Sequence, residues 1–390
     1  MGKRLSVLQV GKFYPPEVGG LETHLELLCA GLAREVEVSV VVANRGRRTV
    51  TEQMAGLPVT RAAPWANLFG APLCPGMIGQ IRRSKADIVH LHLPNPGAVM
   101  AYLLSGRQGL LVATWHSDTI RQKRLGRLFA PIEGRLLDRC AALIASSPAY
   151  VESSPVLSAR RGLCRVIPYG IAPERFAEPN EPAVAELRRR YGPRIVLAVG
   201  RMVYYKGFQH LIRAMTSVEA TLVLVGDGPL RASLEKLVEE FDLEKRVVLA
   251  GRASNEQLAA LYHACDVFVL PSVARSEAFG IVQIEAMACG KPVINTRINS
   301  GVGFVSVDGE TGISVPPADP AALAAAINRL LEDDALRRRM GEAAASRVRE
   351  HFSAVRMVEC TLELYREVAA SQRASTVSSF GQPSATAGFS

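Results

Sequence analysis

Short apolar runs recur along the chain at residues 5–10, 36–42, 88–93, 110–114, 142–145 and 165–168. Helix-length segments separate them, and one of these, residues 21–33, repeats its apolar positions at helical spacing. Strand-sized runs alternating with helices predict a parallel sheet in a doubly wound α/β domain. Residues 171–191 are rich in proline and charge and read as a linker. The alternation then restarts at 195–199, 221–225, 247–250, 267–270 and 292–295, which predicts a second α/β domain closed by helices at 318–331 and 334–351. Residues 353–370 form one more amphipathic segment, and 371–390 are polar and Ser/Thr/Gly-rich, the composition of a disordered tail. The expected domains are thus 1–175 and 190–352. Two such domains place ligand sites at the carboxyl ends of their strands, facing a shared cleft.

Composition narrows the picture. A chain of 390 residues with 48% hydrophobic and 21% charged positions has material for two full cores. No apolar stretch approaches the ~18 residues that a membrane helix needs. The seven cysteines are scattered, odd in number and never spaced C-x-x-C, which points to a reducing compartment, the cytoplasm, rather than to disulfides or zinc.

The net charge of +9 is unevenly spread. Residues 1–180 hold 22 Lys+Arg against 13 Asp+Glu, a difference of +9, and the remaining 24 and 24 cancel. A basic half implies an anionic partner. Residues 120–137 combine Arg121, Lys123, Arg124, Arg127 and Arg135 with Ile120, Leu125, Leu128, Phe129, Ile132 and Leu136, an interfacial pattern that predicts docking on an anionic membrane surface. Nucleic acid is the poorer partner, because a single aromatic residue, Phe129, falls among these cations rather than an interleaved series.

The stretch with the most chemistry is V-F-V-L-P-S-V-A-R-S-E-A-F-G-I-V-Q-I-E-A-M-A-C-G-K-P-V, residues 267–293. A buried strand breaks at Pro271, a polar loop carries Glu277, and a helical pattern begins at Gly280 with Glu285 in its first turns. Backbone N–H groups around Phe279, Gly280, Ile281 and Val282 would be free at the helix start, where the dipole favours an anion. Carboxylates on either side of that point, Glu277 and Glu285, can accept hydrogen bonds from hydroxyls. An anion between two hydroxyl-binding groups suits a sugar nucleotide.

Other loops follow predicted strands in the same way. Gly200-Arg201-Met202-Val203-Tyr204-Tyr205-Lys206-Gly207 sets two cations where a diphosphate could sit. Gly226-Asp227-Gly228-Pro229 follows another strand, and lacks the third glycine of a dinucleotide fingerprint. Arg252 lies beyond the next. In the first half, Gly19 and Gly20 precede a helix, and Thr114-Trp115-His116-Ser117-Asp118 ends a strand. His90 and His92 share one face of their strand. Two histidines can suggest a metal, but no third ligand is evident in the sequence, so they read as structural.

The segment S-E-A-F-G-I-V-Q-I-E-A-M-A-C-G-K-P-V closely resembles the signature of the retaining glycosyltransferases of family 4, which have the GT-B fold. G-R-x4-K-G, G-x-G-P and P-P-x-x-G-G-x-E match that family's other loops, in order, over residues 5–370. The resemblance implies two Rossmann-like domains facing a cleft, with a last helix, here 353–370, crossing back to the first. It implies transfer of a sugar from a nucleoside diphosphate donor, GDP-mannose before a UDP-hexose, to a glycan or lipid-linked acceptor in polysaccharide or glycolipid assembly.

Arg201 and Lys206 would neutralise the leaving diphosphate, without a metal because no D-x-D motif is present, and no cofactor is needed. Gly19, Gly20, Gly226, Asp227, Gly228 and Arg252 would line the donor pocket, the two first-domain glycines serving the donor phosphate or the acceptor. Glu277 would hold the sugar and Glu285 the nucleotide. His116 would contact the donor sugar and Asp118 the acceptor. Pro168-Tyr169-Gly170 departs from the family's commoner P-N-G, and Tyr169 inherits no role. A GT-B sugar-nucleotide epimerase or a non-catalytic nucleotide-sugar binder is the alternative.

Overall fold

The apolar runs of the first half become strands that are largely buried on both faces, because helices cover the sheet above and below, except for the exposed edge strand at 164–166. The structure is a computed structural model that describes residues 4–17, 19–68, 71–118, 123–176 and 178–380, without the side chains of 68, 123–128 and 373–380. The strands of the first half are β1 (Ser6–Val10), β2 (Glu37–Ala43), β3 (Val50–Met54), β4 (Leu57–Ala62), β5 (Ala66–Leu68), β6 (Ala71–Leu73), β7 (Ile88–Leu93), β8 (Leu110–Trp115), β9 (Ala142–Ala145) and β10 (Cys164–Val166). Eight of them form one sheet in the order β10-β9-β8-β7-β1-β2-β4-β3, parallel except for β3. β5 and β6 form a separate small hairpin.

The second half supplies β11 (Ile195–Val199), β12 (Thr221–Val225), β13 (Val247–Gly251), β14 (Val267–Leu270), β15 (Val293–Thr296) and β16 (Gly312–Val315), all parallel, in the order β13-β12-β11-β14-β15-β16. In both sheets the order turns back beside the first strand, and this reversal opens a crevice at the carboxyl ends.

Four elements depart from expectation. The hairpin β3–β4 escapes the apolar-run criterion because β3 is exposed and polar. It turns through Ala55 and Gly56, both at positive φ. β16 is short and begins with Gly312, where a Cβ would sit 1.8 Å from the Val293 carbonyl oxygen, so only glycine fits. The expected linker 171–191 contains a helix, Glu181–Tyr191, whose Val184, Leu187 and Tyr191 pack on the second domain's core. That domain therefore starts before residue 190. The spacing 184, 187, 191 is helical and was outweighed by the charge around it. The last helix runs Ala354–Phe380, ten residues past its expected end, and residues 381–390 of the expected tail lie outside the described residues.

That last helix crosses to the first domain as expected: Met357, Val358, Leu362, Leu364, Tyr365 and Val368 are buried in its core. Gly31 makes room for it, since a Cβ there would meet Val358 at 2.4 Å. The two crossings between domains run side by side. The Ile171 N–H donates to the Phe352 carbonyl at 2.9 Å, and the Ala354 N–H to the Ile171 carbonyl at 2.7 Å. Gly170 lies against Ser353, where a Cβ would be 2.4 Å from the carbonyl oxygen.

The basic amphipathic segment is a helix, Lys123–Leu137, that turns its apolar side inward: Leu136 and Leu137 are fully buried, and Phe129 and Ile132 pack on the first domain's core. These residues therefore do not form a membrane-facing surface, which corrects that part of the expectation. Ile120 and Arg121 lie outside the described residues, as do the side chains of Lys123, Arg124, Leu125, Arg127 and Leu128. Among the described residues, no helix is long and apolar enough to cross a membrane.

Candidate active site

In the second domain, three loops interlock at the carboxyl edge of the sheet. Gly200 has φ 153° and Gly226 has φ 134°. A Cβ on Gly226 would lie 2.0 Å from the Gly200 carbonyl oxygen, and one on Gly228 would lie 2.5 Å from that of Met202. The Met202 N–H donates to the Asp227 carbonyl at 2.9 Å. The glycines of G-R-x4-K-G and G-x-G-P thus serve first to let backbone pack on backbone. Gly207, at φ 67°, lies against the Pro271 carbonyl after β14. Asp227 is exposed; its Oδ1 accepts from the Gly228 N–H at 2.8 Å and its Oδ2 lies 4.0 Å from the exposed Arg252.

This packing buries one of the two loop cations and exposes the other. Lys206 is 7% exposed, and its Nζ lies 2.6 Å from Oε2 of Glu277, which is 8% exposed. The Ser272 hydroxyl donates to the same Oε2 at 3.1 Å. Glu277, expected to hold the sugar, is therefore first the counter-ion of a buried lysine. Arg201, on the same loop, is exposed and makes no ion pair among the described residues.

The signature helix is Ile281–Ala288, preceded by Gly280 at φ 77° and ψ 60°, with no side chain capping its start. A Cβ on Gly280 would meet Leu270 at 2.7 Å and Gln283 at 2.8 Å. Two buried amides hold this turn, and neither was singled out in the sequence. Gln283 Nε2 donates to the Phe279 carbonyl at 3.1 Å and Asn295 Nδ2 donates to Gln283 Oε1 at 3.2 Å. The uncapped helix start and its dipole suit an anion. Glu285, one turn in, accepts from the buried Tyr262 hydroxyl at 2.6 Å. Burial raises the pKa of Glu285, and that hydrogen bond opposes the rise.

The first domain meets this helix start with Gly20, whose Cβ position lies 3.7 Å from Ile281 Cδ1. Gly19 is extended, at φ 175°. Asp118, expected at the acceptor, accepts from Trp115 Nε1 at 3.0 Å and from the Ser154 hydroxyl at 2.7 Å. Its second oxygen lies 3.5 Å from the Arg275 guanidinium of the second domain, which also donates to the Ser153 carbonyl at 2.8 Å. Asp118 is thus a clasp between domains.

His116, expected to contact the donor sugar, is buried at the end of β8. Its Nε2 lies 3.0 Å from His92 Nδ1, and its Nδ1 lies 2.7 Å from the Tyr169 hydroxyl. His92 Nε2 reaches Gln9 Oε1 at 2.9 Å, and Gln9 Nε2 donates to the Tyr365 hydroxyl of the crossing helix at 2.9 Å. His90 bridges Tyr365 and Thr114. Every ring nitrogen of His90, His92 and His116 is thereby engaged within the protein, so in this arrangement the His116 ring offers a sugar no free polar atom.

The histidines that the sequence left without a third neighbour do have one, because helix 20–32 carries His24 into the cluster. Nitrogens of His24, His92 and His116 lie within 4.8 Å of one another. Those of His92 and His116 are committed to each other. Burial holds His92 and His116 well below the usual histidine pKa, with neighbouring imidazoles adding to the effect; it lowers His24 to about 4 and His90 to about 3. All four are neutral at pH 7.

Comparison with known proteins gives this arrangement a family. The sequence profile of Glycosyltransferase Family 4 matches residues 18–175, and that of Glycosyl transferases group 1 matches 180–347. The D-rhamnosyltransferase WbpZ of Pseudomonas aeruginosa is 34% identical, over 90% of this chain and 93% of that protein. The chain belongs to the family 4 glycosyltransferases. The O-antigen chain mannosyltransferase C of Escherichia coli is 32% identical to this glycosyltransferase, over 93% of the chain and 98% of that protein. A sucrose-phosphate synthase structure from Thermosynechococcus elongatus aligns with a TM-score of 0.78 at 26% identity, over 94% of this chain and 100% of that one. Anabaena HepE in complex with UDP and glucose aligns at 0.77 and 22%, over 93% and 99%, and shares the GT-B fold.

Proposed function

We propose that this glycosyltransferase moves a sugar of D-manno configuration from a GDP donor to a hydroxyl of a polysaccharide or its lipid-linked carrier, with retention and without a metal. The observation that carries this is the pairing of an uncapped helix start, Gly280–Ile281, with two cations, Arg201 and Lys206, on a neighbouring loop at the same edge of the sheet. A leaving diphosphate gains negative charge as the glycosidic bond breaks. Fixed donors and cations aimed at that charge are the largest catalytic term available to such a site.

The acceptor hydroxyl would add to the anomeric carbon on the face from which the diphosphate leaves. A departing phosphate oxygen would take its proton, so no protein nucleophile is required. Glu285, with one oxygen free of Tyr262, would receive the ribose hydroxyls. The donor choice follows the two relatives named as D-rhamnosyl- and mannosyltransferases, because D-rhamnose is 6-deoxy-D-mannose. A basic first domain suits a phosphorylated, lipid-linked acceptor presented at the inner face of a membrane.

The test is incubation with GDP-mannose, GDP-rhamnose and UDP-glucose, with and without a lipid-linked glycan acceptor, in chelator. Acceptor-dependent GDP release and an α-linked product support the reading. UDP release replaces the donor, conversion of the nucleotide sugar without acceptor replaces transfer by epimerisation, and activity restored only by added metal removes the metal-free mechanism.

A further inference from the structure

The helix Lys123–Leu137 turns its apolar side inward, but another part of the basic first domain keeps cations and apolar side chains together at the surface. Residues 44–66 hold four arginines against one glutamate, a net +3. Two of the four are neutralised: Arg45 pairs with Glu17 at 2.9 Å and Arg61 with Glu52 at 2.6 Å. Arg47 and Arg48 are exposed and make no ion pair among the described residues. Their loop is held in shape by one side chain. Asn44 Oδ1 accepts from the Gly46 N–H at 3.1 Å, and Asn44 Nδ2 donates to the Arg48 carbonyl at 2.6 Å.

Beside this loop stands the most exposed large apolar side chain among the described residues, Trp65, at 82%. It directly precedes β5, and its backbone N–H donates to the Leu73 carbonyl of β6 at 2.8 Å. The loop and the hairpin leave two adjacent parallel strands, β2 and β4, at the same carboxyl edge. Two hydrogen bonds tie them together: the Asn44 N–H donates to the Ala62 carbonyl at 2.7 Å, and the Ala63 N–H to the Thr49 hydroxyl at 3.0 Å. Val50, next after Thr49, is a second exposed apolar side chain. The patch also adjoins the cleft. Arg61 donates to the Tyr14 and Pro15 carbonyls and Arg45 to Glu17, all on the loop that ends at Gly19 and Gly20.

An indole has an apolar body and a polar N–H, which suits the boundary between headgroups and acyl chains. Guanidinium groups beside it suit the phosphates of an anionic bilayer. A neutral polysaccharide would offer the ring a face and the two unpaired arginines nothing. Nucleic acid would call for a series of stacking rings. We propose that Trp65, Val50, Arg47 and Arg48 form the surface by which the first domain docks on an anionic membrane. The purpose of that surface rests on the lipid-linked acceptor proposed above, because docking would hold the first domain's side of the cleft where such an acceptor is anchored. The docking itself requires neither donor nor acceptor.

The chain has two tryptophans, and Trp115 is buried, so a change in indole emission on contact with a surface reports on Trp65. The full chain is mixed with vesicles of phosphatidylglycerol or of phosphatidylcholine, without nucleotide sugar. With phosphatidylglycerol at low salt the emission should shift to the blue and the chain should sediment with the vesicles. With phosphatidylcholine, or at high salt, neither should happen. Each cation at such a surface is worth about fivefold in partitioning, so the double variant Arg47→Gln/Arg48→Gln should sediment with roughly 30-fold weaker affinity. Trp65→Ala should lose at least about fivefold by the same measurement. Both variants should melt with the wild type and bind GDP unchanged, because the replaced side chains are exposed.

The proposal is overturned if vesicles leave the emission in place, if both lipids bind alike, or if either variant partitions as the wild type does. A blue shift with a soluble mannan oligosaccharide and none with vesicles overturns it too, and makes the indole a glycan contact. Vesicle binding by a chain that does not use GDP-mannose leaves the docking surface standing and removes the proposed donor. Sugar transfer by a chain that ignores vesicles does the reverse.

Discussion

Removing the carboxylate of Glu277 would leave the Lys206 ammonium in a place that excludes water. The two side chains are 10% and 9% exposed and 2.6 Å apart, and the Ser272 hydroxyl adds a third contact. A buried pair of this kind contributes little net stability as a whole, because desolvation offsets the attraction, but breaking it from one side costs about 3–5 kcal/mol. In a domain of this size each kcal/mol is worth about 2–4 °C. Glu277→Leu is therefore expected to lower the second domain's melting temperature by roughly 6–20 °C. Lys206→Met should cost a similar amount, for the mirror reason. The double variant should cost far less than the sum, within roughly 1–2 kcal/mol of wild type, since neither charge then remains buried. GDP adds a distinguishing arm. If its diphosphate approaches Lys206, it replaces the missing anion, and the thermal shift at saturating GDP should be larger in Glu277→Leu than in wild type. Differential scanning calorimetry of the four proteins with and without GDP gives all these quantities. Additive single-variant losses, or a Glu277→Leu loss below about 1 kcal/mol, would show that the pair is not a buried unit. An equal GDP shift in both proteins would separate Lys206 from the phosphate site.

Arg201→Ala should leave the melting temperature unchanged, since the side chain is exposed and outside any ion pair among the described residues, while turnover falls about 10²-fold, the worth of one electrostatic contact to a developing anion. Wild-type turnover would remove Arg201 from the site. Glu285→Ala should weaken GDP binding in a calorimetric titration; unchanged affinity would mean that the nucleotide lies elsewhere. Stability should be level above pH ~6.5 and fall below it. Burial depresses the folded pKa of His24 to about 4 and of His90 to about 3, and holds His92 and His116 well down. The unfolded chain takes up protons first as pH drops, and each histidine then costs about 1.4 kcal/mol per pH unit until its folded pKa is reached. Urea unfolding at pH 7.5 and 5.0 measures this, and equal midpoints would contradict it.

The chain order of strands and helices was legible because a strand buried on both faces is close to continuously apolar, and residues 142–145, 195–199 and 267–270 could hardly be anything else. The signature loop was legible for a related reason: glycine at 280 and a helix beginning at 281 announce a free helix start from local sequence alone. Three-dimensional packing decided what the polar side chains of those loops do. Glu277 and Lys206 are 71 residues apart, and nothing local says that one neutralises the other. Gly226 and Gly228 read as ligand-facing but are required by the backbone of Gly200 and Met202. Asp118 meets Arg275 only because two domains close on each other.

The histidines make the point most sharply. His24, His92 and His116 come from a helix and two strands or their ends, and their side chains converge because parallel strands β7 and β8 lie side by side and the first turns of helix 20–32 bring His24 beside them. Sequence spacing fixes which residues share one element's face. Which elements face one another depends on the order of strands in the sheet, and that order is a property of the packed core. So the sequence sufficed to place His116 at the carboxyl end of a strand, and only the tertiary structure revealed that its nitrogens are engaged by His92 and Tyr169.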